Sequence, residues 1–385
     1  MSGGARLEHA VVIGAGLAGS AVACRLARAG LAPLMLERDP HPRHAVCGEF
    51  LSIEAQAELA RLGVDIDRHG ATRITTLRLV HRRAVAEVAL PFTGRGLSRK
   101  VLDEALRAEA VRAGARLERG APARSLVAAP AGFSLDAGRL GAIRARSVFL
   151  ASGKHDIRGA RRLGARTSDD FIAFKTHLDL TAQQRAALDG IVEIVLFEGG
   201  YAGLQLVEGG QANLCLIVTR SRFDRAGRRW EVLLAELCRE APPMAARLDG
   251  AAAPLGQPSA VYPIPYGFLH RPQRSDSQGL FRLGDQVGVI PSLTGDGMAI
   301  ALHSARLAAS FHLARPDSSL AFHHQVRTDI SLQIRLACAV QTASRWRAGQ
   351  RALVEMCRAY PYLARRLALW TRIPSAALER AEASP

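Results

Sequence analysis

The strongest constraint on the fold is a glycine-rich turn near the N-terminus that separates two apolar runs. The turn follows the apolar residues 10–13 and reads Gly14-Ala15-Gly16-Leu17-Ala18-Gly19. Residues 17–29 then carry apolar side chains at helical spacing, and a second apolar run at 33–36 ends in Glu37-Arg38. This order of strand, turn, helix and strand predicts a βαβ unit with two parallel strands.

A turn of the GxGxxG type at this position predicts a dinucleotide site. The first glycine permits a tight turn, the second lets the backbone approach a pyrophosphate, and the third allows the helix to pack closely on the strand. The helix N-terminus faces the phosphate charge, and an acid at the end of the second strand binds ribose hydroxyls. The expected cofactor-binding residues here are Gly14, Ala15, Gly16, Ala18, Gly19, Glu37 and Arg38.

Three later segments resemble motifs of the FAD-dependent aromatic hydroxylases and geranylgeranyl reductases, including the FixC-like bacterial branch. Arg99 begins a helix that resembles their arginine element, and Gly153 stands where they carry a glycine after a strand. The stretch 283–299 resembles their Gly-Asp motif. The resemblance implies FAD as cofactor, and it implies contacts to FAD from the residues of that motif, Asp285, Pro291, Gly295, Gly297 and Met298.

The same resemblance implies an α/β fold in which an FAD-binding, Rossmann-like domain is interrupted by a second domain. Residues 170–265 alternate as strands do, with Gly-Gly turns at 199–200 and 209–210, which predicts a mostly antiparallel sheet. We expect an FAD-binding domain from residues 1–72, 98–168 and 275–315. The second, substrate domain is expected at 73–97 and 169–274, and a helical C-terminal segment at 316–385.

A Cys-Gly-Glu segment after the second strand resembles a segment of the geranylgeranyl reductases that passes beside the flavin. Cys47 is therefore a candidate for both flavin contact and catalysis, Gly48 for flavin contact and Glu49 for catalysis. A small thiol that merely packs in the core is the alternative for Cys47.

Two further sets of polar residues are candidates for the substrate domain. Lys175 and His177 are two apart in a predicted strand and so share a face, which suggests a pair facing one cavity, although a solvated face is the simpler interpretation. Tyr262 and Tyr266 flank prolines in a strand that resembles the active-site strand of these families. Lys175 and Tyr266 complete the catalytic candidates, and no metal site is expected.

Charge and cysteine content restrict the partners of the chain. The net charge is +16, but 48 of the 51 basic residues are arginines spread over all 385 residues, without a basic tail. Nucleic acid is not expected, whereas an anionic membrane surface or an acidic carrier protein stays open. Six cysteines without a CxxC pair indicate neither a disulfide framework nor zinc. We expect a cytoplasmic protein, peripheral to the membrane if it meets one, without a signal peptide or spanning helix.

These features favour an FAD-dependent monooxygenase that hydroxylates a lipophilic aromatic or polyketide-type substrate. A single dinucleotide fingerprint implies that NAD(P)H is a transient co-substrate without its own domain. The first alternative is a flavin-dependent reductase of prenyl double bonds, which the Cys-Gly-Glu segment favours. A flavin-dependent halogenase is a further alternative, although its WxWxIP signature does not occur in the sequence. The last alternative is a non-catalytic flavin-binding protein.

Overall fold

The computed structural model describes residues 7–162, 164, 171–254, 256–274 and 276–383. Its strands are β1 Leu7–Ile13, β2 Leu34–Glu37, β3 Phe50–Leu51, β4 Thr72–His81, β5 Ala84–Gly96, β6 Arg116–Arg119, β7 Ser125–Ala129, β8 Gly132–Asp136, β9 Ala142–Leu150, β10 Phe171–Leu178, β11 Gly190–Phe197, β12 Gly200–Leu206, β13 Ala212–Thr219, β14 Ser259–Val261 and β15 Leu280–Arg282. Its helices are α1 Leu17–Arg28, α2 Ile53–Arg61, α3 Arg99–Arg112, α4 Ala182–Ala186, α5 Arg220–Arg225, α6 Trp230–Glu240, α7 Pro242–Leu248, α8 Gly297–Ala314, α9 Ser319–Ser344, α10 Arg347–Ala359, α11 Pro361–Trp370 and α12 Ser375–Ala383.

The predicted βαβ unit is present as β1, α1 and β2. The two strands pair in parallel, with Val11 opposite Leu34. Gly14 adopts a φ of 93° in the turn between β1 and α1, a conformation that glycine reaches without steric cost. A Cβ on Gly19 would lie 1.8 Å from the Gly14 carbonyl oxygen. Both glycines are therefore required for the close approach of α1 to β1.

The first sheet is the Rossmann-like one. Its strand order is β6-β2-β1-β9-β8-β7, and β15 also pairs with β9. The strands β6, β2, β1, β9 and β15 run parallel, while β8 and β7 form an antiparallel extension. Helix α1 packs against α3 and α8 on one face of this sheet. The loops at the carboxyl ends of β1, β2, β9 and β15 consequently meet at one edge, where ligands bind in open α/β sheets.

The second sheet has eight strands in the order β14-β10-β13-β12-β11-β4-β5-β3. Its central strands β11, β12 and β13 form the predicted antiparallel meander, while β11 and β4 pair in parallel. The prediction of strands throughout 170–265 is wrong for 220–248, which forms α5, α6 and α7. Leu233 and Leu237 recur at helical spacing there and are buried against the sheet.

Two junctions connect the sheets. β3 directly follows the Cys-Gly-Glu segment and pairs with β5 in the second sheet, although its residues fall in the predicted FAD-binding range. In the C-terminal segment, which is helical as predicted, α10 and α11 pack on β5 while α12 packs on α8. The predicted domain limits stay a prediction, and the limit at 168–169 lies outside the described residues. No helix in the described parts of the chain is long and apolar enough to cross a membrane.

Candidate functional site

A cavity of about 740 Å³ runs from the carboxyl edge of the first sheet to the inner face of the second. Most of the predicted site residues line it, which brings together segments that are far apart in the sequence. The lining members are Gly14, Gly16, Ala18, Glu37, Arg38, Cys47, Gly48, Glu49, Arg99, Gly153, Tyr266, Asp285, Gly295, Gly297 and Met298. Four predicted residues lie behind the lining, namely Ala15, Gly19, Lys175 and Pro291.

The glycine turn and Glu37 form one end of the cavity. The Glu37 carboxylate is buried, and one oxygen accepts a 3.0 Å hydrogen bond from the Ala15 backbone N–H. Its other oxygen accepts a 3.0 Å bond from the N–H of Asp39. Each carboxylate oxygen can accept more than one bond, so Glu37 can still accept from ribose hydroxyls. Ala15 thus donates its backbone N–H to Glu37 and does not itself line the cavity.

Arg99 lies beside this turn. Its guanidinium makes two hydrogen bonds to Asp103, at 2.8 and 2.9 Å, and it would be 3.5 Å from a Cβ on Gly16. Burial alone would lower the pKa of Arg99, but the Asp103 carboxylate outweighs burial and raises that pKa. A fixed positive charge therefore faces the place where a pyrophosphate would approach α1.

The Gly-Asp loop forms a further part of the cavity wall. Asp285 forms a 3.1 Å ion pair with Lys154, and the Gly153 carbonyl accepts a 2.8 Å bond from the Gln286 amide. Gly295 has a φ of 72°, and a Cβ there would come within 2.9 Å of the Phe50 ring. Pro291 is buried beneath the loop and shapes the turn at 292–294. The N-terminus of α8 then opens directly onto the cavity at Gly297.

The cavity edge formed by these residues fits FAD. A Cβ on Gly14 would lie 2.5 Å from the Ala151 carbonyl oxygen, whereas one on Gly48 or Gly153 would meet nothing within 4 Å. The first glycine therefore keeps the turn tight, and the other two leave open space where a flat ring system can pass. The N-termini of α1 and α8 would supply partial positive charge to the pyrophosphate and to the flavin ring of such a ligand, respectively.

Glu49 is the most constrained residue of the site. It has a φ of 60°, which is uncommon for a residue with a side chain, and it is fully buried. Lys175 Nζ contacts one carboxylate oxygen, which also accepts a 2.6 Å bond from the Arg99 N–H. His177 Nε2 lies 2.8 Å from the other oxygen. Strained backbone of this kind persists only where the surroundings over-determine it.

The charges around Glu49 keep it ionised. Burial would raise its pKa, but the hydrogen bond from His177 and the positive charge of Lys175 outweigh burial and lower the pKa. The Gln205 side-chain amide donates a 2.9 Å bond to the Glu49 carbonyl oxygen. Strands β10 and β12 of the second sheet thus hold the Cys-Gly-Glu segment through Glu49.

Lys175 and His177 share a face of β10, as predicted, but they do not face the cavity. Both are buried and both converge on Glu49. The prediction that Lys175 is catalytic is therefore corrected, because its amine reaches the carboxylate from behind and no lining atom belongs to it. The solvated-face interpretation is also wrong, since both side chains are only about 2% exposed. They are positioning residues.

Among the residues that the structure describes, two groups of histidines and carboxylates have geometries that suit a metal ion. His44, Glu49 and His177 have potential ligand atoms within 4.8 Å of one another, but the Lys175 ammonium already occupies the same carboxylate. His44 packs edge-on to His177, and burial, His177 and Lys175 lower its pKa to about 4. In the other group, His323 Nε2 accepts a 3.0 Å bond from the Arg282 N–H. We therefore assign neither group to a metal.

The tyrosines separate into lining and surface residues. Tyr266 lines the cavity, and its hydroxyl contacts Ser292 Oγ. Tyr262 is 48% exposed, and its hydroxyl accepts a 3.1 Å bond from Arg220, so the prediction for Tyr262 is wrong. Sequence reasoning missed Tyr201, which lines the cavity from β12 and whose pKa is raised well above the usual value by burial. The only sequence signal for Tyr201 was its spacing, which places it on the same face of β12 as Gly203 and Gln205.

We call the part of the cavity whose residues fit FAD the flavin edge. Beyond the flavin edge, the cavity continues into an apolar chamber. Alternate residues of β4 and β11 form one wall, and α10 and α11 form the other. Branched and long aliphatic side chains dominate this lining. They include Leu77, Leu79, Leu90, Val192, Ile194, Leu196, Ile217, Leu353, Met356 and Leu367.

Arg372 ties the helical wall of the chamber to the Gly-Asp loop. It follows α11 and donates a 3.0 Å hydrogen bond to Asp296 and a 2.9 Å bond to the Thr294 carbonyl. Its guanidinium also lies 4.9 Å from the centre of the Phe92 ring. Burial raises the pKa of Asp296 to about 6, although Arg372 opposes that shift. Sequence reasoning did not identify this pair, because 76 residues separate its members.

Replacing Lys175 tests the anchor of Glu49. In Lys175→Met the ionised carboxylate stays buried without its amine partner, so we expect the free energy of unfolding to fall by about 3–5 kcal/mol. Urea unfolding measures this change. Arg228→Met breaks an exposed ion pair with Asp224 and serves as control, with an expected loss under about 1 kcal/mol. Equal losses in both variants would contradict the role of Lys175.

The Asp296 carboxyl makes stability depend on pH in a defined direction. Its pKa of about 6 in the folded chain exceeds the ordinary value of 3.8, so the folded state holds this proton more tightly than the unfolded state. The resulting stabilisation is present below about pH 4 and is lost as pH rises through 6. Urea unfolding between pH 4 and 7 should therefore show the wild type losing stability relative to Asp296→Asn. A constant difference between the two would contradict the raised pKa.

Comparisons with known proteins agree with this geometry. A family model described as an NAD(P)-binding Rossmann-like domain matches residues 12–66. A menaquinone reductase of Mycobacterium tuberculosis is 28% identical over 324 residues, covering 78% of this chain and 75% of that protein. A menaquinone reductase of Mycolicibacterium smegmatis is 36% identical over 115 residues, which are 29% of this chain and 28% of that protein.

Solved structures share the fold over nearly the whole chain. A geranylgeranyl bacteriochlorophyll reductase-like protein of Thermoplasma acidophilum has a TM-score of 0.75 at 19% identity, covering 99% of this chain and 96% of its own. The flavin-dependent brominase Bmp2 has a TM-score of 0.74 at 15% identity, covering 98% of each chain. Together, the family model, the menaquinone reductases and the shared fold support an FAD-dependent oxidoreductase superfamily for this chain.

Proposed function

We propose that this FAD-dependent oxidoreductase reduces a carbon–carbon double bond in the prenyl chain of a lipid, with a prenylated quinone as the substrate class. The observation that carries the proposal is the position of Cys47. Cys47 lines the same cavity as the residues that would hold the flavin and the aliphatic residues of the apolar chamber. A double bond bound in this cavity could therefore be reached both by a hydride donor and by the Cys47 thiol.

Reduction of an alkene requires a hydride and a proton on neighbouring carbons. FAD, once reduced, supplies the hydride. The residues that hold it are the glycine turn, Glu37, Arg99 and the Gly-Asp loop. Cys47 supplies the proton from its sulfur. The Arg99 guanidinium, a permanent positive charge, lies close to that sulfur.

The backbone around Cys47 fixes the direction of its thiol. The Glu49 N–H donates a 3.4 Å hydrogen bond to Cys47 Sγ, and the Asn213 side-chain amide donates a 3.1 Å bond to the Cys47 carbonyl oxygen. The buried anchor of Glu49 holds the next residues of the segment. A general acid must be held within reach of the atom that it protonates, and this arrangement meets that condition.

The apolar chamber supports a lipophilic substrate. Its walls offer almost no hydrogen-bond partners beyond the two tyrosines, so a flexible hydrocarbon chain fits it better than a polar metabolite. Similarity to the menaquinone reductases supports a quinone that carries a prenyl chain. NAD(P)H is the proposed reductant, and it binds only transiently because the sequence carries a single dinucleotide fingerprint.

Hydroxylation of a lipophilic aromatic is the second candidate function. The specific observation in its favour is the pair of cavity-lining tyrosines, Tyr201 and Tyr266, since a tyrosine hydroxyl can orient a phenolic group within a largely apolar wall. Hydroxylation needs no proton donor such as Cys47 at the reacting carbon. That difference separates the two candidates in a mutational experiment.

Mass spectrometry of the product distinguishes the candidates directly. The holoenzyme is incubated with NAD(P)H and a detergent-dispersed prenylated quinone, both without oxygen and in air. Reduction yields a product heavier by two hydrogen atoms in both conditions, and the added atoms lie in the chain. Hydroxylation yields a product heavier by one oxygen atom and only in air. A quinone with a fully saturated chain serves as control and should not gain hydrogen in its chain.

Cys47→Ala tests the proton donor. We expect the rate of double-bond reduction to fall by about 10²–10⁴-fold, the usual contribution of a general acid. Reduction of the bound flavin by NAD(P)H should stay within a factor of two or three, since Cys47 takes no part in that step. Cys238→Ala, in α6 and outside the cavity lining, is the matched control. Full turnover in Cys47→Ala would remove the thiol from the mechanism.

A further inference from the structure

Helix α11 is a single wall between the apolar chamber and the protein surface. Its inner residues Ala364, Leu367 and Ala368 line the chamber. Its outer residues include Tyr362, which is 71% exposed, and Trp370, which is 50% exposed. The chamber and the outer surface are therefore separated by the thickness of one helix, which packs on β5 and α10.

Exposed apolar side chains are concentrated on this part of the surface. Thirteen large hydrophobic side chains are exposed in the described chain, and six of them fall within residues 346–370. The remaining seven are spread over the sequence from residue 7 to residue 332. The six lie in or beside α10 and α11, two helices that pack together, and we call them the aromatic face; they are Trp346, Tyr360, Tyr362, Leu363, Leu369 and Trp370. Groups of this kind mark interaction sites, whereas single exposed residues do not.

The aromatic face is surrounded by positive charge. Residues 345–372 contain seven arginines and one acidic residue, Glu355. Five of these arginines are exposed, and Arg366 lies 5.5 Å from the centre of the Trp370 ring. Aromatic side chains mixed with arginines suit the headgroup region of a bilayer, where the rings enter the acyl boundary and the guanidinium groups meet anionic lipid.

We propose that the aromatic face docks on an anionic lipid bilayer, so that the chamber opens toward the membrane in which its substrate is dissolved. Charge favours this occupant over a second copy of the chain, because pairing two such faces would bring ten exposed arginines together. The inference rests on the proposed function only for the identity of the lipid that enters. The docking surface itself depends only on the exposure of the aromatic face and the charge of its arginines.

Vesicle co-sedimentation of the full-length, FAD-loaded protein tests the docking surface without any turnover. We expect binding to phosphatidylcholine vesicles that contain phosphatidylglycerol, at least ten-fold weaker binding to phosphatidylcholine alone, and weakening as salt is raised. The double variant Tyr362→Ser/Trp370→Ser should lose at least ten-fold in binding. Val111→Ser/Val127→Ser replaces two residues that are similarly exposed but remote from the aromatic face, and it should bind as the wild type does.

Several results would overturn the proposal. These are unchanged vesicle binding by the tyrosine–tryptophan variant, equal binding to neutral vesicles, or concentration-dependent dimerisation that this variant abolishes. Thermal unfolding and the absorbance of bound flavin check that both variants are folded. Because binding is measured without substrate, a chain that docks but forms no reduced lipid would contradict the proposed function alone.

Discussion

The buried carboxylate of Glu49 is the interaction on which the rest of the site depends. Glu49 follows the glycine turn and β2 of the Rossmann-like sheet, yet its partners come from the second sheet. Lys175 and His177 pair with its carboxylate, and Gln205 donates to its backbone carbonyl. Three sets of bonds therefore meet at one residue with a left-handed backbone. A buried charge of this kind is stable only when it is fully paired, so the two sheets must keep one relative position. That position places Cys47 and Gly48 in the lining of the cavity that the two sheets share.

A second connection works from the opposite side of the cavity. Arg372 joins the end of α11 to Asp296 and Thr294 in the Gly-Asp loop. The helical wall of the chamber and the loop that faces the flavin are thereby parts of one hydrogen-bonded unit. The proposed lipid, if it passes α11, would therefore contact the same hydrogen-bonded unit that positions the N-terminus of α8. The proposed chemistry and the proposed membrane surface are in this way two consequences of how the C-terminal helices are attached.

Local patterns were enough to predict the Rossmann-like part of the fold. Glycines that need positive φ or close approach, such as Gly14 and Gly19, leave a signal in the sequence because no other residue fits there. The flavin edge followed from motifs whose members are neighbours in the chain. The Glu49 anchor and the Arg372–Asp296 pair did not, because their members lie 126 and 76 residues apart and meet only after both sheets have formed. Lys175 was noticed because it shares a strand face with His177, but the direction of that face depended on the pairing of β10, which no local pattern contains.

The most direct test of prenyl-chain reduction asks whether the lipid alone can oxidise the reduced flavin. The flavin of the purified protein is reduced chemically without oxygen, and the protein is then mixed anaerobically with a detergent-dispersed prenylated quinone whose ring is already in the hydroquinone form. Only the double bonds of the chain can then accept electrons. With the unsaturated chain we expect the visible absorbance of oxidised flavin to return in a single turnover. With a saturated chain we expect it not to return. A flavin that stays reduced with both lipids until air is admitted would contradict prenyl-chain reduction.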